Sequence, residues 1–106
     1  MFSKEEILLI KGCLNEAVNG EYFDDEEFQT IFGFYRDEIN DYMNNWSGEY
    51  FDARDLTFIR VTLNQLLGYP HGKKDTLEKN LNCKISIIHE LKEKVSQLHD
   101  PGFIYR

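Results

Sequence analysis

The segment Phe2-Ser3-Lys4-Glu5-Glu6-Ile7 holds the pattern on which the fold assignment rests. An aromatic residue precedes a hydroxyl side chain, a glutamate follows three residues on, and an aliphatic residue comes next. This is a capping box with a hydrophobic staple. The hydroxyl oxygen accepts from the backbone N–H of the third helical residue, and the glutamate there reaches back to the cap's own N–H. The aromatic ring then packs on the aliphatic residue of the first turn. The same grammar recurs at Phe23-Asp24-Asp25-Glu26-Glu27-Phe28 and at Phe51-Asp52-Ala53-Arg54-Asp55-Leu56, where the shorter Asp55 leaves the third box half made. Asp75 with Glu78 forms a fourth box without a staple. The last two staples lie in a longer identity, Gly-Glu-Tyr-Phe-Asp at 20–24 and again at 48–52. The similarity fades once each helix begins, so these are two loops that solve one capping problem.

Between the starts, the apolar positions keep a helical period. Ile7, Ile10, Leu14, Ala17 and Val18 predict a first helix over 4–19 that stops at Gly20. A short second helix spans 25–32 and ends at Gly33. Tyr35, Ile39, Tyr42, Met43 and Trp46 mark a third over 35–45. Leu56, Ile59, Leu63, Leu66 and Leu67 mark a fourth, from after Asp52 to Leu67. Pro70 keeps Tyr69 out of helical geometry and sets a loop over 68–74. Leu77, Leu81, Ile85, Ile88, Leu91, Val95 and Leu98 predict one long helix over 76–98, stopped by Asp100-Pro101-Gly102. The tail Phe103-Ile104-Tyr105-Arg106 is apolar and is expected to fold back and dock. No stretch alternates cleanly between apolar and polar, so no strand is predicted. The expectation is a single all-α domain over 1–106, a compact bundle of four main helices plus one short helix.

Composition bounds the function. Two cysteines, Cys13 and Cys83, cannot build a disulfide framework, and both fall in helical stretches as reduced thiols. The N-terminus lacks the basic and apolar regions of a signal peptide, and the run Ile7 to Ile10 is far too short for a membrane span. These features predict a cytoplasmic protein without membrane contact. The net charge of −7 is unevenly distributed. Residues 1–56 hold four Lys/Arg against fourteen Asp/Glu, and residues 57–106 hold eight against five. The acidic half repels nucleic acid and steers basic partners toward itself.

Chemistry-bearing patterns are missing. Cys13, Cys83, His71, His89 and His99 show no pair at zinc-site spacing, and His89-Glu90 lacks the second His of a zinc-protease motif because Glu93 stands there. Glu26-Glu27 is not followed by the further Glu that helical pyrophosphohydrolases use for Mg²⁺. There is no nucleophile elbow, phosphate loop or dinucleotide fingerprint. Lys79, Lys84, Lys92 and Lys94 scatter around their helix among Glu78, Glu90 and Glu93, which is a solvated face and not a nucleic-acid stripe. The expectation is therefore no enzyme, no cofactor, no metal and no nucleic acid.

Large side chains on loops, ringed by acids, point instead to a protein-binding surface. The candidate residues are Tyr22, Asp24, Asp25, Asp37, Asp41, Trp46, Tyr50, Tyr69 and His71. Acids would guide a basic partner, such as a toxin or nuclease, and the aromatics would hold it. The competing assignment for Trp46 and Tyr69 is to lock their loops onto the bundle. In size, acidity and helical content the chain resembles the immunity proteins of bacterial nuclease toxins. Its Tyr69-Pro70 after a helix is similar to the Tyr-Pro of the four-helix colicin-nuclease immunity family, which implies a helical inhibitor. Gly68 replaces that family's second Tyr, and the acidic stretch that follows it there has no counterpart here, so no site residue is carried over. The alternative is a self-associating helical protein, a homodimer burying the stripe of the long C-terminal helix.

Overall fold

Ser3 opens the first helix as its pattern requires. In the computed structural model, which describes residues 2–46 and 53–98, the Ser3 hydroxyl accepts from Glu6 N at 3.1 Å, and Ser3 N donates to Glu6 Oε1 at 2.8 Å. Six helices follow among the described residues: α1 (Lys4–Asn19), α2 (Asp25–Phe32), α3 (Arg36–Asn45), α4 (Ala53–Gly68), α5 (Lys74–Leu81) and α6 (Ile85–Leu98). No described residue is in a strand. α4 is central, packing on α6, α1 and α2, while α1 also packs on α3 and α5. The predicted stripes supply the core. Ile10, Leu14, Ala17 and Val18 of α1 meet Leu56, Ile59, Leu63, Leu66 and Leu67 of α4, and all are buried.

The long C-terminal helix is in fact two helices. α5 ends in a Schellman turn, with Cys83 N donating to Glu78 O and Asn82 N to Lys79 O. Asn82 takes the left-handed conformation at φ 54°, which asparagine tolerates better than most residues. The Glu78 carboxylate reaches across the break and accepts from Ile85 N at 2.8 Å, capping α6. The Asp75–Glu78 box is thus not formed. Lys73 is the N-cap of α5, and Asp75 lies exposed in its first turn. An unbroken apolar period hid the break, because the turn returns Leu77, Ile88, Leu91 and Val95 to one core. These four side chains are buried within the monomer, while Leu81 and Ile85 of the same stripe are half-buried.

Three smaller corrections concern the helix starts. Asp24 has the backbone of an N-cap but makes no side-chain cap bond, and Glu27 turns to Tyr69 instead. The staple still forms, with the Phe23 ring edge-on to Phe28 at 6.1 Å. Tyr35 precedes α3 in extended geometry and is 64% exposed, so it is not part of the α3 stripe. Its N–H donates to Glu38 Oε1 at 2.9 Å. Asp55, predicted as half a cap, is buried and accepts from the Tyr42 hydroxyl at 2.6 Å. Asp52, Tyr50, the loop 47–51 and the C-terminal tail lie outside the described residues.

Candidate functional site

Five of the nine predicted site residues come together at one end of the bundle. Residues 20–24 turn from α1 into α2, and residues 69–73 cross beside them. Gly33 closes α2 at φ 78°, with its N–H on Gln29 O. Aromatic rings fill the space between the two turns. His71 lies edge-on to Tyr22 at 5.0 Å and to Phe23 at 6.0 Å, and Phe23 meets Tyr69 at 5.3 Å and Phe32 at 5.0 Å.

Hydrogen bonds set this wall. Tyr22 is buried, and its hydroxyl donates to Glu16 Oε1 at 2.7 Å. Burial, then the neighbouring Glu16 carboxylate, raise the Tyr22 pKa, so the phenol stays protonated. Tyr69 is half-buried and donates to Glu27 Oε2 at 2.6 Å, which raises its pKa too. His71 Nδ1 accepts from Lys73 N at 2.9 Å, which leaves Nε2 as the donor to Leu66 O at 2.8 Å. Both nitrogens of His71 are engaged, so the ring locks the 69–73 turn to the end of α4.

Two cations absent from the predicted set build the rest. α1 has no basic residue in its last turn to meet its terminal carbonyls. Arg36, from the start of α3, donates to Ala17 O at 3.3 Å, to Val18 O and to Phe23 O at 3.0 Å. Its guanidinium also lies 4.4 Å over the Phe28 ring and 3.0 Å from Asp25 Oδ1. Lys73 donates to Glu21 O at 2.6 Å. The sequence held one signal for this: Arg36 is the only Lys or Arg between Lys11 and Arg54.

The outer surface is acidic. Asp24, Asp25, Glu26 and Glu27 are exposed at the start of α2, and Asp37, Glu38 and Asp41 are exposed on α3, which packs against α2. Asp24, Glu26, Asp37 and Asp41 form no ion pair with a described residue, and only Asp25 meets a cation. Two shallow clefts flank this end. One of about 540 Å³ is bordered by Asp24, Asp25, Arg36 and Lys73, and one of about 530 Å³ by Tyr69, Pro70 and Asp75.

Trp46 does not belong to this group. It is buried at the far end of α3, stacked with Tyr42 at 6.0 Å, with Lys11 Nζ 5.9 Å from its ring. Tyr22 and Trp46 are therefore core residues and not exposed contact aromatics. Tyr50 lies outside the described residues.

Among the described residues no three or more His, Cys, Asp and Glu side chains gather as metal ligands. The Cys13 thiol is buried and pushed up to about 12, chiefly by desolvation, which leaves it unreactive. No described helix is long and apolar enough to cross a membrane. Comparison with protein-family models, with curated proteins and with solved structures gives no match to this chain.

Proposed function

We propose that this chain is a small protein-binding module of the inhibitor or immunity kind, with no catalytic activity of its own. Its acidic face, the start of α2 and the outer side of α3, receives a basic protein partner. One observation carries the reading. Arg36, the only Lys or Arg between Lys11 and Arg54, is turned inward onto the carbonyls of α1 and the 20–24 turn. The carboxylates of Asp24, Glu26, Asp37 and Asp41 are exposed and form no ion pair with a described residue. Such a surface attracts a basic partner over several ångströms and raises its association rate. The half-buried Tyr69, fixed by Glu27, offers an aromatic edge beside these acids. Tyr22 and His71 act as its support and not as contact residues.

The test is a low-salt affinity capture from native lysate, followed by association kinetics with the partner retained. The reading expects a basic protein whose association rate falls steeply as salt rises. Combined reversal of Asp24, Asp37 and Asp41 to lysine should slow association by at least about tenfold while the helical circular dichroism is unchanged. Association that ignores both salt and charge reversal would refute the proposal.

A further inference from the structure

We infer that His71 is a pH-sensitive latch: as a neutral ring it ties the start of α5 to the bundle, and as an imidazolium it lets that start go. The geometry is specific. Gly72 takes φ 71°, and the chain folds back so that Lys73 N donates to His71 Nδ1 at 2.9 Å. Lys73 is the N-cap of α5 and makes no side-chain cap bond. The N-cap N–H that a capping box would satisfy from within the helix is here held by a histidine outside it. Nδ1 accepts only while it carries no proton. Protonation sets a ring N–H against the Lys73 N–H at that same 2.9 Å, and the bond is lost. Nε2 donates to Leu66 O in both forms, so the ring stays on α4 while α5 loosens.

No carboxylate of a described residue pairs with the imidazole to hold the charged ring in place. Tyr22 and Phe23 face it from the 20–24 turn, Leu66 O from α4, and Lys73 from its own loop. The Tyr22 hydroxyl is spent on Glu16, which also accepts from Asn80 of α5. The other charged groups of this end engage elsewhere or lie exposed. Glu27 holds Tyr69, Asp24 and Asp25 border the cleft with Lys73, and Lys74 and Asp75 are exposed in the first turn of α5. The ring is half-buried, so protons reach it, and histidine is the side chain that changes charge between about pH 5 and 8. Release also loosens the Lys73 ammonium, which clasps Glu21 O at 2.6 Å beside the cleft that Asp24 and Asp25 border. Acid thus opens one wall of the acidic end. Any effect on a bound partner rests on the heteromeric reading above, whereas the release itself does not.

Residue-resolved NMR of the full chain, without any partner, tests this. Near pH 8 the His71 ¹⁵N shifts should report a bare Nδ1 and a protonated Nε2. As pH falls toward about 5, the Lys73 amide should lose about tenfold in protection from exchange, corrected for intrinsic rate, in step with His71 protonation. The Leu77 amide, which donates to Lys73 O, should follow it. His71→Asn replaces the ring by a side chain that does not titrate in this range and that accepts from the N–H two residues on. The variant should abolish the pH-dependent loss while the helical circular dichroism is unchanged. A ring that titrates with Lys73 protection unaltered overturns the proposal. So does a ring that stays neutral down to about pH 5, or an equal loss in His71→Asn.

Discussion

Replacing Arg36 by methionine should destabilise the protein more than any other single surface change at the acidic end. The substitution keeps an aliphatic stem over Phe28 and removes the guanidinium. Three carbonyls, of Ala17, Val18 and Phe23, then lose their donor. A hydrogen bond with one charged partner contributes about 1.5–3 kcal/mol. These three share one group, and water replaces part of the loss, so their joint effect is about 3 kcal/mol rather than the sum. The ion pair adds little, because the Asp25 side chain is 92% exposed and such pairs contribute about 0–1 kcal/mol. The contact with the Phe28 ring contributes about 0.5–1 kcal/mol, part of which methionine retains. The total is about 3–4 kcal/mol, or a fall in Tm on the order of 20 °C for a domain of this size. Urea unfolding followed by far-UV circular dichroism and by Trp46 fluorescence measures it. Asp25→Asn is the control and should cost less than about 1 kcal/mol. The carbonyl-clasp account fails if Arg36→Met stays within about 1 kcal/mol of the parent. It fails equally if Asp25→Asn proves as costly, since the ion pair would then be the main contribution.

Glu78→Ala should cost about 1–2 kcal/mol by leaving Ile85 N without its acceptor, whereas Glu78→Gln, which can still accept, should cost less in the same urea titration. Thr62→Val should be neutral or stabilise by about 0.5–1 kcal/mol, because the buried hydroxyl has no hydrogen-bond partner among the described residues; a clear loss of stability would show that the oxygen is bonded after all. Glu6 is held below its ordinary value of 4.5, first by the Lys94 hydrogen bond and then by the backbone N–H of Ser3. A depressed carboxyl stabilises the fold above the unfolded value and loses that contribution as pH falls through the folded one. Lys94→Met should therefore narrow the drop in urea midpoint below pH 4.5, with parent and variant converging in acid; parallel curves would contradict the assignment.

Much of the architecture was written in local sequence. Capping signals and apolar period act within one or two turns of chain, so they can be read without knowing what packs where. α1 ends at Asn19 and α2 spans Asp25–Phe32 as those signals require, and the buried faces of α1 and α4 are the predicted ones. The break at Asn82 escaped because a Schellman turn needs only one left-handed residue and a distant cap. Asn82 permits the first without demanding it, and Glu78 supplies the second from seven residues back.

The candidate site divides in the same way. Its acidity was legible because charge is a property of composition. Which aromatics face the solvent was not, because exposure depends on what the rest of the chain lays over them. Tyr22 and Trp46 sit in loop-like sequence, yet both are buried, Tyr22 by the 69–73 turn and Trp46 against Tyr42. The role of Arg36 was equally out of reach. Only the packing of α3 against the end of α1 brings a guanidinium to three carbonyls 13 to 19 residues away in the chain. Sequence by itself determined where helices start and which stripe of each is apolar, since those depend on neighbours in the chain. Tertiary structure decided which polar groups are consumed inside and which are left for a partner, since that depends on neighbours in space.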